Sequence, residues 1–165
     1  MPSGRDLKII LGNLKGLFIT IGAVMLAMAA LSAIFGNPQV SDGFFYGAII
    51  GISIGLALNT IYPRSMEPEL RHGMVIAAIA YLIVPAISCI PFVVTQHMSP
   101  LDAFFEAISG WTGSGFSMIL FPQNSDPFIL LWRSVTQWIG GLGVILLMVT
   151  ILIRPGTSTY MLYQS

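Results

Sequence analysis

Four long apolar stretches, separated by short polar or turn-forming segments, organise the chain: about Leu14–Phe35, Phe44–Tyr62, Met74–Val94 and Phe128–Ile153. A bilayer core of about 30 Å needs roughly 20 helical residues to cross it, and each stretch is long enough. None has the strict alternation over about 10 residues that marks a barrel strand. Helices follow, because hydrocarbon offers no partner to an unpaired backbone N–H or C=O. Gly36-Asn37-Pro38 punctuates the first break, and Tyr62-Pro63-Arg64 through Arg71 the second. Pro85 falls inside the third stretch, where its missing N–H predicts a kink. Gly47, Gly51 and Gly55 recur every fourth residue along the second, which would let another helix approach closely; glycine is also common in membrane helices without such a contact.

Composition agrees with that pattern. Of 165 residues 55% are hydrophobic and only 8% charged, with a mean hydropathy of +0.84, whereas soluble domains run near a quarter charged. Seven acids and seven bases could not clothe a water-facing surface of this size, so the chain reads as an all-α integral membrane protein. Zero net charge and the lack of a basic run exclude nucleic acid as a partner. The single cysteine, Cys89, cannot form an intrachain disulfide. Met1 to Lys15 places positive residues before an apolar stretch too long for a signal-peptide core, so this start reads as a retained anchor. Arg5, Lys8 and Lys15 precede the first span, Arg64 and Arg71 lie between the second and third, and Arg154 follows the fourth. The connections Gly36–Gly43 and Thr95–Pro127 carry no lysine or arginine, so both termini are expected in the cytoplasm.

The chemistry concentrates in Thr95–Pro127. Ser99-Pro100-Leu101-Asp102 reads as a helix start, with Ser99 as N-cap, Pro100 at the first helical position and Asp102 in the first turn. Running to about Trp111, this helix would be about 17 Å long, half a bilayer. Thr112-Gly113-Ser114-Gly115-Phe116-Ser117 follows without a helix signal, and a polar turn region leads to Pro127. A half-length helix entering from outside would aim its negative dipole end at the membrane centre, which favours a cation. Backbone returning outward could then offer carbonyl and hydroxyl oxygens in place of an ion's hydration shell, glycines allowing the necessary dihedrals. The alternative is an amphipathic interfacial helix followed by a flexible loop.

Arg133, early in the last span, would cost on the order of 2.5–3.5 kcal/mol if left unpaired in the bilayer. Asp102 and Glu106 lie one turn apart on one face of the short helix, and either could pair with it. Snorkelling of Arg133 to the outer interface is the alternative. Ile129 reads as lipid-facing. Gly140, Gly141 and Gly143 thin the same span, as expected where another backbone passes closely. His72 and His97 fall near opposite membrane faces and read as plain flanking residues, so no transition-metal site is expected. Neither a Gly-x-Ser-x-Gly elbow nor a phosphate loop is present, and an enzyme is not expected.

Asp102-Ala-Phe-Phe-Glu106-Ala-Ile-Ser-Gly110-Trp-Thr112-Gly-Ser-Gly115-Phe-Ser117, followed by Leu131-Trp-Arg133-Ser-Val-Thr-Gln137-Trp-Ile-Gly140-Gly-Leu-Gly143, closely resembles the first pore repeat of the Trk/Ktr/HKT superfamily of potassium transporters, and most of all its TrkH-type membrane subunits. The resemblance implies a span–pore helix–span unit, repeated four times around a central pore. Residues 1–71 would form an N-terminal helix pair, 72–154 the first pore repeat (span 74–94, pore helix 100–111, filter 112–116, span 128–153) and 155–165 a cytoplasmic linker or truncated tail. Thr112, Gly113, Ser114, Gly115 and Phe116 would bind potassium, with Gly115 at the filter glycine. The family filter often reads Thr-Thr-Thr-Gly, and the Thr-Gly-Ser-Gly found here alters which hydroxyls are available.

No cofactor is implied besides the transported ion. The implied partners are the remaining pore repeats or a second polypeptide supplying them, the lipid bilayer, and a cytoplasmic nucleotide-binding regulatory subunit; the implied location is the plasma membrane. Only one repeat occurs, so a fragment, truncated product or split subunit is expected. The alternative function is a non-conducting helical subunit that packs against a partner through the Gly47–Gly55 face. The first reading depends on Gly115 and the second on Gly51.

Overall fold

Helix formation begins earlier than hydropathy alone suggests. The first helix, α1, spans Gly4–Phe35 and carries Asp6 in its first turn, where an acid complements the helix dipole. Its 32 residues make it about 48 Å long, more than a bilayer core, so it tilts or stands out of the membrane at its charged end. In the computed structural model, residues 4–36, 38–63 and 68–152 are described. Five more helices follow: α2 (Pro38–Ile61), α3 (Leu70–Ser88), α4 (Ile90–Gln96), α5 (Pro100–Thr112) and α6 (Pro127–Leu152), with a 3-10 turn over Pro122–Asn124. No strand occurs among the described residues. By length and apolarity α1, α2, α3 with α4, and α6 can each cross a membrane. Arg64, Ile153, Arg154 and the segment 155–165 lie outside the described residues.

α1 and α2 form an antiparallel hairpin built on glycine. A Cβ at Gly51 would stand 3.2 Å from both Gly22 Cα and Phe18 O, and one at Gly55 3.0 Å from Ile19 N. Gly22 answers from α1, where a Cβ would lie 2.9 Å from Ile52 N. At Gly47 the neighbour is the flexible tip of Met25. The small-residue face therefore receives α1 of the same chain, which removes the basis for reading it as a docking face for another protein.

The third stretch is broken, though not at Pro85, which lies within α3. The interruption falls at Cys89, whose N–H still bonds Pro85 O at 2.9 Å. Pro91 is the physical reason, because it has no N–H to offer Ile87 O and its ring crowds that carbonyl. The bend brings α4 against α2, where a Cβ at Gly43 would sit 3.0 Å from Pro91 Cα. Nearby, the rings of Phe44 and Trp132 meet edge to face with centroids 5.5 Å apart, joining the α1–α2 hairpin to α6. Ile129 is fully buried in this cluster and does not face lipid.

At the other end of the bundle His72 is buried. Its Nδ1 accepts from Glu69 N at 3.2 Å while Nε2 lies 3.0 Å from Asp6 Oδ1. Nδ1 must be unprotonated to accept, so the ring proton is on Nε2 and is donated to Asp6. His72 is thus a tie between the starts of α1 and α3, not a plain flanking residue. Lys15 Nζ donates to Tyr62 O and Pro63 O at 2.9 and 3.1 Å, capping the end of α2.

Candidate functional site

α5 starts as its sequence dictates. Ser99 Oγ accepts from Asp102 N at 3.2 Å and donates to Asp102 Oδ2 at 2.8 Å, with Pro100 in the first turn. Its 13 residues give a rod of about 20 Å. Ala103, Glu106, Ala107 and Gly110 are buried, and the helix packs between α3 and α6. Three contacts fix its register along α6: Glu106 with Arg133, Gly110 with Thr136, and Trp111 with Gly140. Both numbers rise together, so the two helices run in the same direction. A Cβ at Gly140 would collide with the Trp111 carbonyl. The C-terminal, electronegative end of α5 therefore stops beside the middle of α6.

α3 holds that end from the other side. Trp111 Nε1 donates to Ser88 Oγ at 2.9 Å, Trp132 Nε1 to Ser88 O at 3.0 Å, and Tyr81 Oη to Gly140 O at 3.0 Å. Gly143 lies near Tyr81, a Cβ there reaching 3.2 Å from its hydroxyl, whereas Gly141 meets nothing within 4 Å. The helical period explains the split: residues 140 and 143 share a face, and 141 points about 100° away. Gly141 takes no part in the close packing expected of it.

Beyond α5 the backbone turns irregular. Gly113 ends the helix in the left-handed region at φ +70°, its N–H on Gly110 O at 3.0 Å, and Gly115 follows at φ +77°. Residues with a Cβ rarely adopt these angles. Neither glycine has an atom within 4 Å of where a Cβ would stand, so one side of this segment is open. Its other side is bonded to α5. Thr112 Oγ1 reaches Ile108 O at 2.8 Å and Ser114 Oγ at 3.3 Å, Ser114 Oγ donates to Ser109 Oγ at 3.1 Å, and Ser109 Oγ donates to Phe116 O at 2.5 Å.

Glu106 anchors the return of the chain. It is 1% exposed and accepts from Met118 N at 2.7 Å, from Ser117 Oγ at 3.2 Å, and from Arg133 Nε at 2.5 Å. Arg133 is drawn inward to this carboxylate, with 18% of its side chain exposed, and does not snorkel. Asp102, the other expected partner, is engaged with Ser99 at the helix start. Asp126 plays the same capping part for α6, accepting from Phe128 N at 2.9 Å. Sequence reasoning missed Ser88, Ser109, Gly22 and Asp126. Asp126 before Pro127 carries a local N-cap signal, whereas the other three are recognisable only once helices are placed side by side.

Together these residues make a half-length helix, aimed at the middle of a spanning helix and followed by oxygen-rich irregular backbone with one open side. Such a helix end attracts cations, and such backbone can replace a hydration shell.

Comparison with known proteins points the same way. The family model for TrkH, described as a cation transport protein, matches residues 40–165. An uncharacterized cation transporter of Methanocaldococcus jannaschii is 32% identical over 162 residues, covering 98% of this chain and 34% of that protein. The Trk system potassium uptake protein TrkH of Halomonas elongata is 31% identical over 167 residues, covering 97% and 34%. Its namesake in Vibrio parahaemolyticus is 32% identical over 157 residues, covering 93% and 32%. The chain thus spans about a third of the length of these relatives.

Proposed function

The chain belongs to the TrkH cation-transport family, and from that membership we propose that it supplies one repeat of a potassium-conducting pore. In this reading α5 is a re-entrant pore helix entering from outside, and Thr112–Phe116 is one quarter of the selectivity filter. The observation that carries it is the placement of the α5 carbonyl end beside Gly140, midway along α6, with two left-handed glycines directly after it. Irregular backbone at membrane depth is tolerated only against protein or a water-filled space. The open side at Gly113 and Gly115 suits the latter. The relatives named as potassium uptake proteins support potassium as the ion. Polypeptide outside this sequence would complete the ring, with both ends of the described bundle in the cytoplasm of a plasma-membrane protein. A nucleotide-binding regulatory subunit on the cytoplasmic side is part of the same proposal.

The test is a chimera in which this chain replaces the matched third of the Halomonas elongata protein, reconstituted in liposomes for potassium and sodium flux. Gly115→Ser forces a side chain onto φ +77°, at a cost of about 1–2 kcal/mol in the left-handed region. The filter geometry should yield, and the preference for potassium over sodium should fall before flux is lost. An unchanged preference would show that this segment is not the filter.

A further inference from the structure

Each serine or threonine hydroxyl has a single proton, and a carbonyl has none. That rule fixes the direction of the hydrogen-bonded chain behind residues 112–116. Phe116 O can only accept, so the Ser109 proton is committed to it. Ser109 Oγ must then accept from Ser114, whose own alternative is Ser109 O at 3.4 Å, also on the α5 side. The Thr112 proton likewise goes to Ile108 O or to Ser114 Oγ. Neither the Thr112 nor the Ser114 proton is therefore directed to the open side: each goes to an oxygen of α5 or, from Thr112, to Ser114 Oγ, which leaves oxygen lone pairs for that side. Ser109 itself is 3% exposed, so it touches no ion.

Resting on the filter reading above, we infer that Ser109 is a positioning residue that decides which oxygens meet the cation. It holds the Phe116 carbonyl turned toward α5, so within the Thr112–Phe116 filter segment the oxygens left to coordinate are those of Thr112–Gly115. By accepting from Ser114 it also keeps that hydroxyl proton, which repels a cation, away from the pore. Aligned hydrogen bonds of this kind reinforce one another. Selectivity depends on the number and field strength of the coordinating oxygens, so losing the relay releases an extra carbonyl into the site and loosens the Ser114 hydroxyl, whose remaining α5 partner is Ser109 O at 3.4 Å.

Two measurements test this. In the chimera in bilayers, a 13C=18O label on the Phe116 carbonyl should give an infrared band at the frequency of a strongly bonded carbonyl, and Ser109→Ala should move it upward. A band already at the unbonded position in the chimera without further substitution would overturn the inference. In the chimera, Ser109→Ala should lower the potassium-over-sodium flux ratio by about threefold to tenfold, the size expected for one hydrogen bond, with Ser109→Thr retaining most of it. Ser114→Ala, at an exposed position, should lower the ratio in the same direction and serves if Ser109→Ala does not fold. If Gly115→Ser changes the ratio while Ser109→Ala and Ser114→Ala do not, the relay is refuted and the filter reading stands. If Gly115→Ser has no effect, the filter reading itself fails.

Discussion

Replacing Glu106 by glutamine removes one charge from a buried pair and almost no volume. The carboxylate serves three donors: Arg133 Nε, Met118 N and Ser117 Oγ. A glutamine oxygen can still accept from Met118, but its amide N–H2 would then face the Arg133 guanidinium, donor against donor. Breaking a buried pair from one side typically costs about 3–5 kcal/mol, mostly because the surviving charge is stranded. Arg133 retains 18% side-chain exposure, so water recovers part of that cost and the lower end, about 3 kcal/mol, is expected. The assay is unfolding of the purified chain in mixed micelles by sodium dodecyl sulfate titration, followed by circular dichroism. Ile145→Val, at a position 59% exposed, is the reference and should stay within about 0.5 kcal/mol of the unmodified chain. Adding Arg133→Met to Glu106→Gln removes the stranded charge, so the pair of changes should cost less than their sum by about 1 kcal/mol or more. Strict additivity, or a Glu106→Gln variant as stable as Ile145→Val, would refute the reasoning.

Two further outcomes follow from the packing and the charge asymmetry. Gly140→Ala should destabilise the chain by about 1–3 kcal/mol in the same titration, since its Cβ meets a backbone carbonyl that cannot swing away. Gly141→Ala, with open space around it, should be neutral or mildly stabilising, because alanine favours the helix by up to about 1 kcal/mol; equal losses at both positions would contradict the register of α5 on α6. Gln123, exposed in the turn before α6, should accept a membrane-impermeant thiol reagent from the outside when replaced by cysteine, and labelling from the cytoplasmic side alone would invert the topology.

What could be read from the sequence was whatever is decided within a few residues. Span lengths depend on local hydropathy, and the start of α5 on Ser99, Pro100 and Asp102, so both are visible in the chain itself. The partner of Arg133 is different. Asp102 and Glu106 are equivalent in helical spacing, and only the register of α5 against α6, together with the claim of Ser99 on Asp102, separates them. The same holds for Ile129, whose apolar side chain satisfies lipid and core equally well and is placed in the core by Trp132 and Phe44 beside it. Pro85 drew attention from Pro91, yet a proline acts on the carbonyl four residues before it. The break at Cys89 belongs to the second of the two. His72 reads as a flanking residue in the sequence because its partner Asp6 lies on a different helix, 66 positions away.

Residues 112–117 and α6 share an asymmetry that bears on the proposed pore. Every bond described for Thr112, Ser114 and Phe116 runs back to α5 or within the segment itself, and Ser117 bonds Glu106 of α5 and Ile119 N. The side bearing Gly113 and Gly115 meets nothing, and Trp138, Leu142 and Ile145 on α6 are exposed. Apolar side chains can face lipid without cost, but backbone carbonyls and hydroxyl lone pairs cannot. A lone repeat in hydrocarbon would therefore set polar groups against lipid on its open side, each at a cost of several kcal/mol. The arrangement is favourable only where that side looks onto water and ions, and an aqueous path through a bilayer must be walled all round by protein. In the proposed pore, the same residues that would face a cation would also make the segment dependent on neighbouring repeats. The chain alone in liposomes should carry no selective potassium current, and the chimera should.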